Sequence, residues 1–184
     1  ERCSFGEGCR FGERCSFGEG CSFGERCSFG ERCSFGEGCR FGERCSFGEG
    51  CSFGERCSFG ERCSFGEGCR FGERCSFGAW CRFGERCSFG EGCSFEGHKA
   101  RTSNPYIAID RAGSVRRKTY FFDFEDGIYV RSGCFFGSLS EFRAKVLEDE
   151  DGDASTGKSM QYLGMANIAA VTFGRRELID WGTC

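Results

Sequence analysis

Proline and histidine are almost absent from this chain, with one of each in 184 residues. His98 is therefore the sole imidazole, and Cys134 has no nearby His with which to form a nucleophile pair. No apolar run approaches the ~18 residues that a membrane-spanning helix needs, and no secretory leader pattern is visible. A basic stripe is missing too. The chain has 25 Lys and Arg against 28 Asp and Glu. Up to Gly97 there are 16 Glu and 13 Arg, and the remainder carries 12 of each sign. Nucleic-acid binders usually show a basic face, and a duplex mimic needs dense uncompensated acid. The expectation is therefore of no nucleic-acid and no membrane partner. The chain opens inside a repeat and without Met, so a segment is expected to precede Glu1.

What is abundant is Cys (18), Phe (23) and Gly (31). Cys at that level normally marks a small disulfide scaffold. Here the distribution excludes it, because 16 Cys recur every six residues from Cys3 to Cys93. The unit is C-[SR]-F-G-E-[RG], repeated sixteen times from Cys3 to His98; Cys and Phe fill every copy, Gly fifteen and Glu fourteen. Residues 3–32 are identical to 33–62, and 63–78 begin a third copy, so recent duplication accounts for the purity.

Cys and Phe lie two apart, on one face of an extended segment, with Ser or Arg on the other. Gly, Glu and Arg or Gly then suit a polar corner, where Gly supplies a permissive backbone. Each unit reads as a short strand plus a bend. A helix is excluded, because the period does not track 3.6 residues and Gly every sixth residue is costly.

Written as F-G-E-R-C-S, the unit resembles the hexapeptide-repeat family, whose unit is an aliphatic residue, Gly, two variable positions and a small residue. This chain has Phe at the aliphatic position. The resemblance covers about 96 residues and implies a left-handed triangular parallel β-helix with three units per coil, hence about five coils. A pentapeptide-type quadrilateral solenoid shares the C-x-F pair but not the period. The Cys ladders are expected to be buried free thiols. Stacked pairs such as Cys3 and Cys21 fall within disulfide range, but parallel in-register side chains point the same way. The C-x5-C spacing is not a zinc spacing, so no metal or other cofactor is expected, and a thiol-filled core favours a reducing compartment. Members of the family are often acyltransferases with a His at a loop that interrupts the coils. No such loop occurs here, so the chain is read as non-enzymatic, with an acyltransferase using His98 as an alternative.

The four Arg that replace Ser (Arg10, Arg40, Arg70, Arg82) fall on all three faces of an 18-residue coil. That scatter argues against an ice-binding plane and against one continuous ligand stripe. Ala79-Trp80 replaces Glu-Arg at one corner, and Trp80 lies 18 residues before His98. The two are expected to stack at one corner, as a docking point for the segment leaving the solenoid or as a binding aromatic.

Residues 99–105 read as a linker. Three strands are expected at 106–110, 116–124 and 128–136, then a helix near 139–148 opened by a Ser138/Glu141 capping box. An acidic loop at 148–153 follows. A second helix over 158–172 carries Met160, Leu163, Ile168 and Val171 at helical spacing. Gly152 to Ser159 fits G-x4-G-K-S, but four preceding carboxylates and the missing buried strand argue against a phosphate loop. Asp149, Asp151 and Asp153 begin like a calcium loop, yet Ala154 and Met160 stand where Gly and Glu are required. The stretch GIYVRSGCFFGSLSEFRAKV with QYLGMANIAAV is similar to C-terminal domains of phage and prophage proteins, which implies no activity. The expected architecture is a β-solenoid over 1–98 and an α+β module over 106–184. It would serve as a rigid structural or interaction rod, cytoplasmic or virion-associated, whose module caps the last coil or binds a partner. Self-association through the solenoid ends or a protein partner would go with it, and an inhibitor docking a host protein is a further alternative. The candidate interaction residues are Trp80, His98, Arg116, Arg117 and Lys118.

Overall fold

The computed structural model describes residues 2–102, 105–112, 117–133, 135–149 and 157–179. The chain divides into two compact units, Glu1–Asn104 and Pro105–Cys184.

The first unit is a parallel β-solenoid of about five coils. Each repeat contributes one two-residue strand, from β1 (Ser4–Phe5), β2 (Arg10–Phe11) and β3 (Ser16–Phe17) up to β16 (Ser94–Phe95). Every strand pairs with the one 18 residues away, as Ser4 with Ser22 and Phe5 with Phe23. Three sheets result, starting from β1, β2 and β3 and holding six, five and five of these parallel strands. Strand amides donate to the preceding coil, as Ser22 N–H to Cys3 O at 2.8 Å. Corner amides donate to the following one, as Arg26 N–H to Glu43 O at 2.8 Å. Each coil is thus tied in both directions.

Gly at the fourth position of the repeat has a different origin from the one expected. A Cβ on Gly42 would sit 2.7 Å from Glu25 N and 2.8 Å from Gly24 C. Stacked coils touch there backbone to backbone, and only hydrogen fits. The left-handed conformation falls instead on the sixth position, with φ of 69° at Gly38 and 66° at Gly50, but also 57° at Arg26 and 58° at Arg44. Arg is tolerated there although that region is unfavourable for residues with a β-carbon.

Phe fills the interior. Rings in one column lie flat on each other, with centroids 5.0 Å apart for Phe23–Phe41 and 4.9 Å for Phe41–Phe59, both at 3°. Neighbouring columns meet edge to face, as Phe23–Phe29 at 5.0 Å and 90°. Both are preferred aromatic geometries. The ring spacing matches the ~4.8 Å separation of adjacent strands, so a stack of rings and a stack of strands fit each other.

The last coil ends in a hairpin. Glu96 and Gly97 have φ of 51° and 89°, the two successive positive values of a type I′ turn. They reverse the chain into β17 (His98–Lys99), which runs antiparallel to β16 and pairs Phe95 with His98. Ala100 N–H extends the ladder to Cys93 O at 2.8 Å. Residues 98–100 therefore lie on the solenoid rather than in free linker.

The second unit is a small antiparallel sheet with two helices. Its strands are β18 (Tyr106–Ala112), β19 (Arg117–Phe124), β20 (Gly127–Ser132) and β21 (Phe135–Ser138), in sequential order. The stretch expected as one strand at 128–136 is a hairpin instead, turning at Gly133 with φ 59° and pairing Ser132 with Phe135. Helix α1 (Leu139–Asp149) begins with the expected box. Glu141 N–H donates to Ser138 Oγ at 3.2 Å, and Ser138 N–H donates to Glu141 Oε2 at 2.7 Å. Hydrogen bonds from the Ser138 hydroxyl, then from its amide, hold the Glu141 carboxyl below its ordinary range.

Helix α2 (Gly157–Thr172) buries Met165, Ala166, Ala169 and Ala170 against Phe121, Val130 and Phe142. Of the residues expected to line it, Leu163 packs on this core, while Met160, Ile168 and Val171 are exposed. Small Ala side chains let the helix approach closely, so the buried stripe follows size as well as apolarity. Beyond the helix, Arg175 Nε donates to the buried Asp123 carboxylate at 3.1 Å and its terminal nitrogen to Phe124 O at 2.8 Å. The acidic loop and the glycine-rich match at 150–156 lie outside the described residues; Gly157 to Ser159 open α2.

Two glycines separate the steric role from the conformational one. Gly42→Ala should lower unfolding free energy by about 2–3 kcal/mol through backbone overlap. Gly50→Arg, at a position other copies already fill with Arg, should change it by less than about 1 kcal/mol. Urea denaturation followed by far-UV circular dichroism measures both.

Candidate interaction surface

The inward face of the solenoid is sealed. The thirteen Cys from Cys21 to Cys93 are buried, and all sixteen repeat thiols are free. From Cys27 to Cys93 each thiol donates to the carbonyl of a Gly 21 residues earlier, as Cys27 to Gly6 O at 3.3 Å and Cys93 to Gly72 O at 3.4 Å. Cys is small enough for the coil and still satisfies a buried acceptor, weakly. Burial raises the Cys27 and Cys33 thiols above their ordinary value. For Cys45 the hydrogen bond with the Cys63 thiol comes first and burial second, both upward. Directions alternate along the columns: hydrogen bonds with the Cys69, Cys39 and Cys75 thiols hold Cys51, Cys57 and Cys93 below the ordinary value, yet these three are fully buried and closed to any substrate.

Outside, the corners carry the charge. Ladder bonds place the Arg26, Arg44 and Arg62 corners one above another, with the Trp80 corner next: Arg26 N–H binds Glu43 O, Arg44 N–H binds Glu61 O, and Arg62 N–H binds Ala79 O, each at 2.8 Å. On the other two corners, Arg56 pairs with Glu37 at 2.7 Å and Arg86 with Glu67 at 3.2 Å. In both cases the coil below has Gly at the Arg position (Gly38, Gly68), which leaves room for the guanidinium to reach down. These pairs are exposed and contribute little to stability.

Trp80 occupies the left-handed sixth position with φ 64° and is half-buried. The chain turns back at Glu96, and the Trp80 amide donates to the Glu96 carboxylate, Oε1, at 3.3 Å. Trp80 and His98 were expected to stack in successive coils. The structure instead puts His98 on the reversed strand β17, opposite Phe95. The signal that sequence reading passed over is Glu96-Gly97, an acidic residue and Gly standing where Gly-Glu stands in other copies.

In the second unit Lys118 lies on β19 with Nζ 5.9 Å from the Tyr120 ring centre. Arg117 begins that strand, and Arg116 lies outside the described residues. The neighbouring aromatic row carries Arg131 over Phe136 at 4.9 Å and over Phe122 at 5.9 Å. Phe122 and Phe124 are closed to solvent, so this row is packing and not an open stacking platform. Among the described residues no helix is long and apolar enough to cross a membrane.

Segments of the chain are similar to a family described as RNA-binding, Nab2-type zinc finger, at residues 2–18, 15–36, 32–48, 39–54, 63–84 and 80–95. The matched segments cover under half of the chain. Neither a hexapeptide-repeat family nor a phage protein is among the matches. No curated protein and no solved structure matches. A CCCH-type finger holds zinc with three Cys and one His, and residues 2–95 contain no His at all. The Cys thiols, moreover, are spent on Gly carbonyls inside the coils. Among the described residues no three His, Cys, Asp or Glu side chains are grouped to hold a metal ion. The residues present therefore do not fit the finger's zinc.

Thiol chemistry tests this interior directly. In the folded protein the thirteen buried repeat thiols should stay unreactive to Ellman's reagent, with or without chelator, and all should react in guanidinium chloride. Seven repeat thiols are raised (Cys27, Cys33, Cys39, Cys45, Cys63, Cys69, Cys75) against three lowered (Cys51, Cys57, Cys93); the raised majority gives stability that is fully present below the unfolded value of about 8.5 and is lost as pH rises beyond it. A melting temperature that falls between neutral pH and pH ~10 is the expected result. The family match also corrects the expectation drawn from net charge: similarity to an RNA-binding family overturns the exclusion of nucleic acid as a partner.

Proposed function

We propose that this protein is a non-enzymatic structural rod, in which a rigid β-solenoid holds an α+β module that engages a partner. The observation that carries this reading is the uninterrupted core: Phe columns run from Phe5 to Phe95 with ring contacts near 5 Å throughout and no break for a cleft. A stack of this kind gains stability with each added coil and gives length and stiffness without a pocket. Support for partner engagement by the module, over capping, comes from the hairpin, since β17 already covers the final strand of one sheet. A phage origin rests on sequence resemblance alone.

A second reading, RNA binding, is favoured by the family match. If it holds, the contact lies on the outward Arg of the corners and not on a zinc knuckle.

Two measurements separate these from catalysis. Calorimetry with acetyl-CoA should give no binding heat; a signal abolished by His98→Ala would return the chain to the acyltransferases. Fluorescence polarisation with labelled single-stranded RNA addresses the second reading. Salt-sensitive binding of the full chain supports it, and no binding at low salt removes it.

A further inference from the structure

The duplication provides an internal control for the surface. Residues 63–92 repeat 3–32 with four changes, at Ala79, Trp80, Arg82 and Gly92. Three of the four fall at one corner. Ala79 stands where the copies have Glu19 and Glu49, Trp80 where they have Gly20 and Gly50, and Arg82 where they have Ser22 and Ser52. One carboxylate is lost and one guanidinium gained, so the corner becomes more positive by two charges. The backbone has not moved: φ is 65° at Gly20, 66° at Gly50 and 64° at Trp80. An indole has therefore been placed in a backbone conformation that suits Gly.

Around that indole the ladder gathers cations. Arg62 lies one coil below, through its amide bond to Ala79 O at 2.8 Å. Arg82 opens the next strand, in register with Ser64. Both guanidiniums are exposed. The nearby Glu96 carboxylate accepts the Trp80 amide at 3.3 Å. A half-buried aromatic flanked by two exposed guanidiniums suits a ligand that alternates π-faces with phosphates, as single-stranded nucleic acid does. Two of the segments similar to the RNA-binding family, 63–84 and 80–95, meet at this corner.

We propose that Trp80, Arg82 and Arg62 form a contact site for single-stranded RNA, with the indole stacking on a base and the guanidiniums meeting flanking phosphates. This rests on the RNA reading above, and it locates that reading on the corner where three of the four departures from the duplicated block fall.

The test uses the full chain and a labelled oligouridine at low salt. The triple variant A79E/W80G/R82S restores residues the other copies already carry, so its fold is safe and its melting temperature should hold or rise. RNA affinity should fall roughly tenfold or more, and the slope of log affinity against log salt should flatten by about one. The reciprocal variant E49A/G50W/S52R should gain affinity by a similar factor. If the parent binds RNA and the triple variant binds equally well, this site is wrong while the RNA reading stands. If the parent binds no RNA, both fall. If an acidic peptide competes fully and Trp80→Gly alone changes nothing, the corner is a protein-docking patch and the proposal is overturned.

Discussion

Backbone-to-backbone contact between successive coils is the constraint on which the solenoid depends. From Gly24 to Gly90 the fourth residue of the repeat meets the preceding coil so closely that a β-carbon would lie under 3 Å from an amide nitrogen, 2.7 Å at Gly42 over Glu25. That approach fixes the rise per coil, and the rise per coil is also the distance at which Phe rings stack flat, 4.9 Å for Phe41 on Phe59. With large rings on one side of each outward residue, only a small side chain fits on the other. Cys meets that need and also offers its proton to a Gly carbonyl one coil away. Three of the six positions are thereby dictated by one steric fact, and the outward and corner positions are left to vary.

Period and polarity make the first half legible from sequence. Six residues divide eighteen, and the C-x-F pair points inward in any extended chain, so strands, columns and core follow without coordinates. The role of Gly was not legible in the same way. A letter that means either a positive φ or a missing β-carbon cannot say which, and here the two meanings occupy different positions of one repeat. Arg in the left-handed region, as at Arg26 and Arg44, has no sequence signature because intercoil bonds impose the conformation.

The second half shows where one-dimensional patterns fail. The capping box at Ser138 was readable because it is local, set by residues three apart. The split of 128–136 turned on Gly133, a single turn residue inside an apolar run. On α2 the larger apolar residues pointed to one face, whereas the sheet selected the Ala face through close approach. Which side of a helix is buried is a property of its neighbour, and no spacing rule contains the neighbour.

Similarity to a zinc finger poses the same question about function: whether spacing can stand for chemistry. Regular Cys in a Gly- and Arg-rich setting is enough to resemble the family, yet residues 2–95 have no His and the buried thiols point into the core. The similarity therefore does not extend to the finger's means of recognition. An outward chemistry has to act from the corners, since the interior is full and the faces bear mostly Ser. On those corners Glu offsets Arg nearly everywhere, and an anionic ligand finds no net attraction. The exception is the coil of Trp80, where the carboxylate is gone and a guanidinium has been added two residues on. Duplication copied the scaffold, and the third copy departs from it at three positions of this one corner, Ala79, Trp80 and Arg82.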